Sequence, residues 1–434
     1  MYGNTVMDMA MTYRFETKAL HAGKIADSTL ASAIPVHRTS SYLFRDTEHA
    51  ANLFSLKEKG NIYTRLGNPT QEVLEARIAA LEGGAGALAL ASGTSAIFYS
   101  AINICRKGDE IVSAPNIYGG TYTMFDCILP DFGIKVAFAN QSEVEKSISP
   151  RTKMLYTEVI GNPTLDVASI RALSEIAARH GIPLAVDSTF TTPYLFRPLE
   201  HGADIVIHSL TKWLGGHGTG IGGIVVDGGK FDWTDRKFAL YNEPDRSYHG
   251  LRFAHDLYEE NAPFITRMRL VPLRNLGACI SPDNAWMFLQ GVETLALRMQ
   301  RHCDNALALA RHLEGHSQVK WVRYPGLRED PSFQLASAQF RNGFGGMVVF
   351  GIRGGPKRGA RFIEGLRLFS HVANVGDAKS LAIHPASTTH SQLTPEQQAE
   401  AGIVPDLVRL SVGIEHIDDI IEDVDRALEK AGGK

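Results

Sequence analysis

The stretch HSLTKWLGGHGTGIGG, residues 208–223, decides how this chain is read. An apolar run, Ile205 to Ile207, leads through His208 and Ser209 to a lone lysine, Lys212, and then to a run of glycines. A P-loop has the opposite order, with glycines before the lysine and Ser or Thr directly after it. Here Trp213 follows the lysine. Most lysines are solvated surface charges. Lys212 has three features that set it apart. It follows an apolar strand, it lies at the edge where α/β sheets bind ligands, and the glycines beyond it allow close backbone approach. In such a pocket the ammonium is destabilised, the pKa falls, and the amine can form Schiff bases.

Upstream of this stretch, strand and helix patterns alternate. PTQEVLEARIAALEG reads as a helix stopped by Gly83-Gly84. GALALAS, EIVSAP, IKVAFA, TKMLYTE, IPLAVD and ADIVIHS read as strands. GTSAIFYSAINICRKGD, YGGTYTMFDCILPDFG and DVASIRALSEIAARHG read as the helices between them. Near-continuous apolar strands alternating with helices imply an α/β fold, with a mostly parallel sheet flanked by helices. Residues 1–65 read as an irregular N-terminal arm, and 66–280 as a large domain. Within it, Asp227 to about Ile280 is aromatic, charged and less periodic, like an insertion. Residues 281–434 read as a smaller α/β C-terminal domain. It opens on one long helix over SPDNAWMFLQGVETLALRMQRHCDNALALARHLEGH, with Ser281 as N-cap and Pro282 in the first turn. GGMVVFGI and LVRLSVGIE follow as strands, GARFIEGLRLF as a helix, and a last helix begins at about Ile417.

The bulk composition narrows the class. The 434 residues are 44% hydrophobic and 21% charged, with a formal net charge of -3. Those are ordinary values for a soluble globular protein. No run of Lys or Arg forms a nucleic-acid patch, and no apolar run is long enough to span a bilayer. Cys105, Cys127, Cys279 and Cys303 are widely spaced and fit free thiols in a cytoplasmic protein. His384 and His390 have no helical spacing and no neighbouring Cys, so no metal is expected.

The ends of the read strands collect polar groups. Ser92, Gly93 and Thr94 stand at a strand end and helix start, where free N–H groups attract phosphate, although plain N-capping is the commoner role of such residues taken alone. Glu158 and Asn162 end the next strand-loop. Asp187 closes an apolar strand and needs a partner, either a salt bridge, a cap or a protonated heterocycle. Ser209, Thr211 and Lys212 close the following strand. An anion site, a carboxylate and a Schiff-base lysine together describe binding of pyridoxal 5'-phosphate (PLP). A nucleotide-binding reading lacks both GxxxxGK[ST] and an ordered GxGxxG.

AVDSTF and HSLTKWLGGH resemble the signature of the PLP-dependent cysteine and methionine metabolism (trans-sulfuration) family of fold type I enzymes. YTRLGNPT, ALASGTSAI, YGGTY, TEVIGNPT, NVGDAKSLAIHPASTTHSQL and VRLSVGIEH extend the likeness, in family order, from TKALHAG to the last helix. The last two motifs and the 227–280 segment most resemble the sulfhydrylase branch. The resemblance implies that 66–280 is the PLP-binding domain and that Lys212 holds the cofactor and later moves protons. It implies that Asp187 pairs with the pyridine nitrogen and that Tyr118 stacks on the ring and acts in catalysis by helping to protonate groups near the substrate. Ser92, Gly93, Thr94, Ser209 and Thr211 would hold the phosphate. Tyr63 and Arg65 would reach the phosphate of a neighbouring subunit, in a homotetramer built from two dimers. Asn162 would meet the ring hydroxyl oxygen, and Arg409 would clamp the substrate carboxylate. Asn374-Val375-Gly376 stands where the lyase branch has Ser-Leu-Gly, so Asn374 is expected to replace that serine through its amide or backbone. The implied reaction is replacement of the acetate of O-acetyl-L-homoserine by sulfide, giving L-homocysteine. A methionine γ-lyase-type elimination and use of the O-succinyl ester remain as alternatives.

Overall fold

The computed structural model describes residues 13–24, 29–257, 262–388, 402 and 404–432. The larger sheet contains β1 (Gly86–Leu90), β2 (Glu110–Ser113), β3 (Lys135–Phe138), β4 (Thr152–Glu158), β5 (Leu184–Asp187), β6 (Ile205–Ser209) and β7 (Gly223–Asp227). Their order is β1-β7-β6-β5-β4-β2-β3. Pairing is parallel from β3 across to β6, and β7 lies antiparallel between β6 and β1. The remaining strands therefore share one carboxyl edge, and β7 alone starts there. This is the mostly parallel sheet expected from the apolar strands.

Burial explains the arrangement. Every residue of β4 and β7 is buried. Leu155, Val186, Val206 and Val226 face one core, while Tyr156, Ala185, Ile207 and Val225 face the other. The two-residue period gives a sheet apolar on both faces. Each fully buried Val, Leu or Ile contributes roughly 1.5–3 kcal/mol of transfer free energy.

Helices cover both faces. α1 (Phe15–His21) and α2 (Thr47–Phe54) fall inside the segment read as an irregular arm, which corrects that reading. Asp46 caps α2 by accepting from the His49 N–H at 2.7 Å. α1 buries Ala19 in the core beside the helix that begins at Pro69. These helices are too short for periodicity to show them. α3 (Pro69–Glu82) stops at Gly83, as read, and Asn68 caps its start. α4 (Gly93–Ile104) packs on the second face, and α5 (Gly119–Thr123) continues through a π-helical turn to Asp131. α6 (Ile170–His180) buries Ile170, Leu173 and Ala177 on the first face. The aromatic segment after Asp227 covers the second face. There Trp233 stacks on Tyr241 with ring centroids 4.3 Å apart, and buried Arg267 binds Asn103 of α4.

The single long helix expected after Ser281 is broken. α7 (Pro282–Glu293) and α8 (Leu295–Glu314) meet at Thr294, whose ψ of 10° leaves the helical range. Ser281 caps α7 as read, accepting from the Asn284 N–H at 3.1 Å. Beyond lie β8 (Val319–Arg323), β9 (Met347–Ile352), α9 (Pro356–Gly365), β10 (Ser370–His371), β11 (Leu381–Ile383), β12 (Leu407–Ser411) and α10 (Ile417–Gly432). The second sheet has the order β10-β11-β12-β9-β8. α8, α9 and α10 bury Leu309, Phe362 and Val424 against it. Among the described residues, no helix is long and apolar enough to cross a membrane.

Candidate active site

The carboxyl edge of the larger sheet brings the read residues together. After β6 the chain enters a π-helical turn, Leu210–Leu214, in which Lys212 departs from helical geometry with φ -91° and ψ -138°. Its Nζ donates to Asn374 Oδ1 at 2.5 Å. Burial, followed by the positive charge of Arg409, lowers the Lys212 pKa to about 8. A fraction of the amine is therefore neutral near pH 7.

Arg409 stands on β12, buried, with Nη1 donating to Asn162 Oδ1 at 3.0 Å. Burial pushes its pKa down to about 10. Among the described residues no carboxylate pairs with it. A buried guanidinium with spare donors suits the planar carboxylate of an amino acid. Asn162 thus serves Arg409, a contact the sequence did not indicate.

Asp187 ends β5, in register with Glu158 at the end of β4. Its Oδ1 accepts from the Thr189 N–H at 2.9 Å. Burial raises its pKa, against hydrogen bonds from Thr189 and the charge of His208. Neither a salt bridge nor a helix cap occupies it among the described residues. Burial and the Asp187 charge also raise Glu158 well above the carboxylate range, and Glu158 Oε1 accepts from the Tyr118 N–H at 2.7 Å. Two neighbouring carboxyl groups, Glu158 buried and Asp187 half-buried, are costly without a cation, so this corner is complementary to a protonated nitrogen.

At the third corner, Ser92 and Ser95 form a capping box, each side chain accepting the other's N–H at 3.0 Å. The Ser92 hydroxyl therefore serves the helix. The N–H groups of Gly93 and Thr94 have no partner within α4, as at any helix start, and are the kind of donors that attract an anion. A Cβ on Gly93 would lie 2.8 Å from Ser209 Cβ, so glycine lets the helix start rest on β6. The Ser209 N–H donates to Thr189 Oγ1 at 2.9 Å. Thr211 Oγ1 accepts from the Gly222 N–H at 3.1 Å and braces the glycine run. Thr189 was missed as a separate residue, although its place two beyond Asp187 is the usual spacing for an Asx-type turn.

Tyr118 begins α5, half exposed, with its ring against Gly120. Tyr63 and Arg65 stack on each other, the guanidinium carbon 5.3 Å from the ring centroid. No hydrogen bond or ring contact among the described residues joins them to the Lys212 cluster. His384 is engaged at both ring nitrogens, by Ser387 Oγ at 2.8 Å and the Pro405 carbonyl at 2.9 Å. His390 lies outside the described residues.

These groups fit PLP: a half-buried amine of lowered pKa, a half-buried carboxyl group with no cation beside it and a helix start with free N–H groups. Fold and site together define a PLP-dependent enzyme of fold type I. The chain belongs to the Cys/Met metabolism PLP-dependent enzyme family, whose model matches residues 16–429. It is 52% identical to an O-acetyl-L-homoserine sulfhydrylase of Leptospira meyeri, covering 99% of this chain and 100% of that one. It is 49% identical to a homocysteine synthase of Schizosaccharomyces pombe, covering 96% and 98%. A crystal structure of a putative O-acetylhomoserine (thiol)-lyase from Campylobacter jejuni, carrying a pyridoxyl-lysine monophosphate, superposes with a TM-score of 0.93. It shares 38% identity and covers 96% of this chain and 100% of that one.

Proposed function

We propose that this protein catalyses γ-replacement on O-acetyl-L-homoserine, exchanging acetate for sulfide to give L-homocysteine. The observation that carries the reading is the half-buried Lys212 amine, hydrogen-bonded to Asn374 and lowered in pKa first by burial and then by Arg409. Full-length relatives named for this ester support the choice of donor.

In this reading Lys212 holds PLP, Asp187 pairs with the pyridine nitrogen and Tyr118 covers the ring. Gly93, Thr94, Ser209 and Thr211 surround the phosphate, with Ser92 shaping the helix start. The bound cofactor supplies an electron sink for negative charge at the substrate α-carbon. Arg409, oriented by Asn162, grips the substrate carboxylate and fixes the α-carbon before the lysine. Freed from the cofactor by the substrate amine, Lys212 Nζ would take the α-proton and then a proton at the β-carbon, so that acetate departs from the γ-carbon. Sulfide adds at that carbon, and Lys212 Nζ returns protons on the way to product. Asn374 Oδ1 holds the amine between these transfers. Tyr63 and Arg65 complete the phosphate site of a neighbouring subunit, within a cytoplasmic dimer of dimers.

The test is a substrate panel. Homocysteine should form from the acetyl ester only when sulfide is present. Thiol release from methionine alone, without sulfide-dependent synthesis, would mark an elimination enzyme. Preference for the succinyl ester would reassign the donor.

A further inference from the structure

α8 carries a buried arginine that the reaction as described above does not use. Arg298 Nη1 donates to the Trp213 carbonyl at 2.7 Å. Its Nη2 donates to the carbonyls of Leu214 at 3.2 Å and Gly291 at 2.7 Å, and Nε donates to Thr294 Oγ1 at 3.3 Å. Among the described residues it has no carboxylate partner. Burial lowers its pKa to about 10. A guanidinium taken out of water without an ion pair is expensive, and a packed apolar side chain would fill the space at lower cost.

The recipients of these bonds explain the expense. Trp213 and Leu214 directly follow Lys212 and end its π-helical turn. The last carbonyls of such a turn have no partner within it. The planar fork of one arginine satisfies both, and also grips Gly291 of α7. Glycines make room on either side. A Cβ on Gly216, whose φ is +73°, would collide with the guanidinium, and a Cβ on Gly291 would collide with the Gly215 carbonyl. The Gly216 N–H closes the turn on the Lys212 carbonyl at 2.7 Å, and the Ala378 N–H holds the Gly216 carbonyl at 2.8 Å.

We infer that Arg298 is a positioning residue for Lys212. It fixes the lysine backbone against α7 and α8, so that Nζ travels between its stations by side-chain rotation alone. The inference rests on the proposed role of Lys212. A misplacement of about 1 Å at such a group costs about a hundredfold in rate.

The test compares wild type with Arg298→Gln, Arg298→Lys and Gly291→Ala. The first readout uses no substrate: the rate at which apoprotein develops the visible lysine–cofactor band after PLP is added. The second is the split between kcat and KM. Arg298→Gln should slow band formation and lower kcat about tenfold to a hundredfold, with KM within about twofold. Arg298→Lys, which keeps a cationic donor, should recover part of both. Gly291→Ala should reproduce the defect by pushing α7 off the lysine turn. If Arg298→Gln does not fold, the other two variants decide. Unchanged band formation and kcat in those two, even with a lowered Tm, would reduce Arg298 to a structural brace and overturn the inference. A wild type that forms no visible band would instead remove the Lys212 reading, and this inference with it.

Discussion

At the scale of single residues, the chemistry turns on the protonation of Lys212. Burial favours its neutral form, and the nearby Arg409 charge adds to that. A solvated lysine titrates near ~10.4. With a pKa of about 8, Lys212 is mostly protonated below that pH and mostly a free amine above it. The rate of PLP capture by apoprotein should therefore climb with pH and level off above about 8. Stopped-flow absorbance across a pH series measures this, and a rate still rising at pH 10 would show an unperturbed lysine. Arg409→Ala removes the second cause of the depression, so the midpoint should move upward in that variant. Of this corner, Lys212 and Asp187 were legible because each closes an apolar strand. The pairing of Asn162 with Arg409 was not, because it joins positions 247 apart in sequence.

At the scale of elements, the site is a meeting of strand ends with one helix start. The alternating apolar runs placed six strands of the larger sheet, because strands buried on both faces show as continuous hydrophobic text. β7 escaped, since its Ile224-Val225-Val226 core is short and emerges directly from a run of glycines. β10 and β11 have two and three residues, too few for any period to register. Thr294 broke the long helix without a Gly or Pro to announce it. The close contact of α4 with β6 was equally invisible, although Gly93 is its sequence trace. Gly93→Ala would set a methyl 2.8 Å from Ser209 Cβ and 3.1 Å from its Oγ. Inserting a methyl into a packed contact costs about 1–3 kcal/mol. The strain falls on the helix start, where the phosphate is proposed to bind. Cofactor affinity should thus drop by roughly tenfold or more, and the Tm of the apoprotein should fall by about a few degrees. Fluorescence titration with PLP tests the first expectation and thermal melting of apoprotein the second.

At the scale of the whole molecule, the Tyr63–Arg65 loop is firmly held yet points outward. Asn68 Nδ2 donates to Thr64 Oγ1 at 3.1 Å, to Tyr42 Oη at 3.0 Å and to the His37 carbonyl at 2.9 Å. Arg269 Nη1 donates to the Leu66 carbonyl at 2.7 Å and pairs with Glu75 on α3. These contacts fix the shape of a surface loop that makes no hydrogen bond or ring contact with the Lys212 cluster among the described residues. The same arm leaves Leu43 99% exposed and Tyr63 42% exposed. Both facts fit a loop that completes another subunit's phosphate site, as the family resemblance implies. In a two-fold dimer each loop then serves the opposite lysine. Arg65→Ala and Lys212→Ala subunits should each be nearly inactive alone. When they are dissociated, mixed in equal amounts and reassociated, half of the dimers are mixed. One site in each mixed dimer then has both residues intact, so activity should return to about a quarter of wild type. If loop and lysine served the same subunit, every site in the mixture would lack one of them. Recovery no greater than that of the separate variants would then place the loop's function within its own chain.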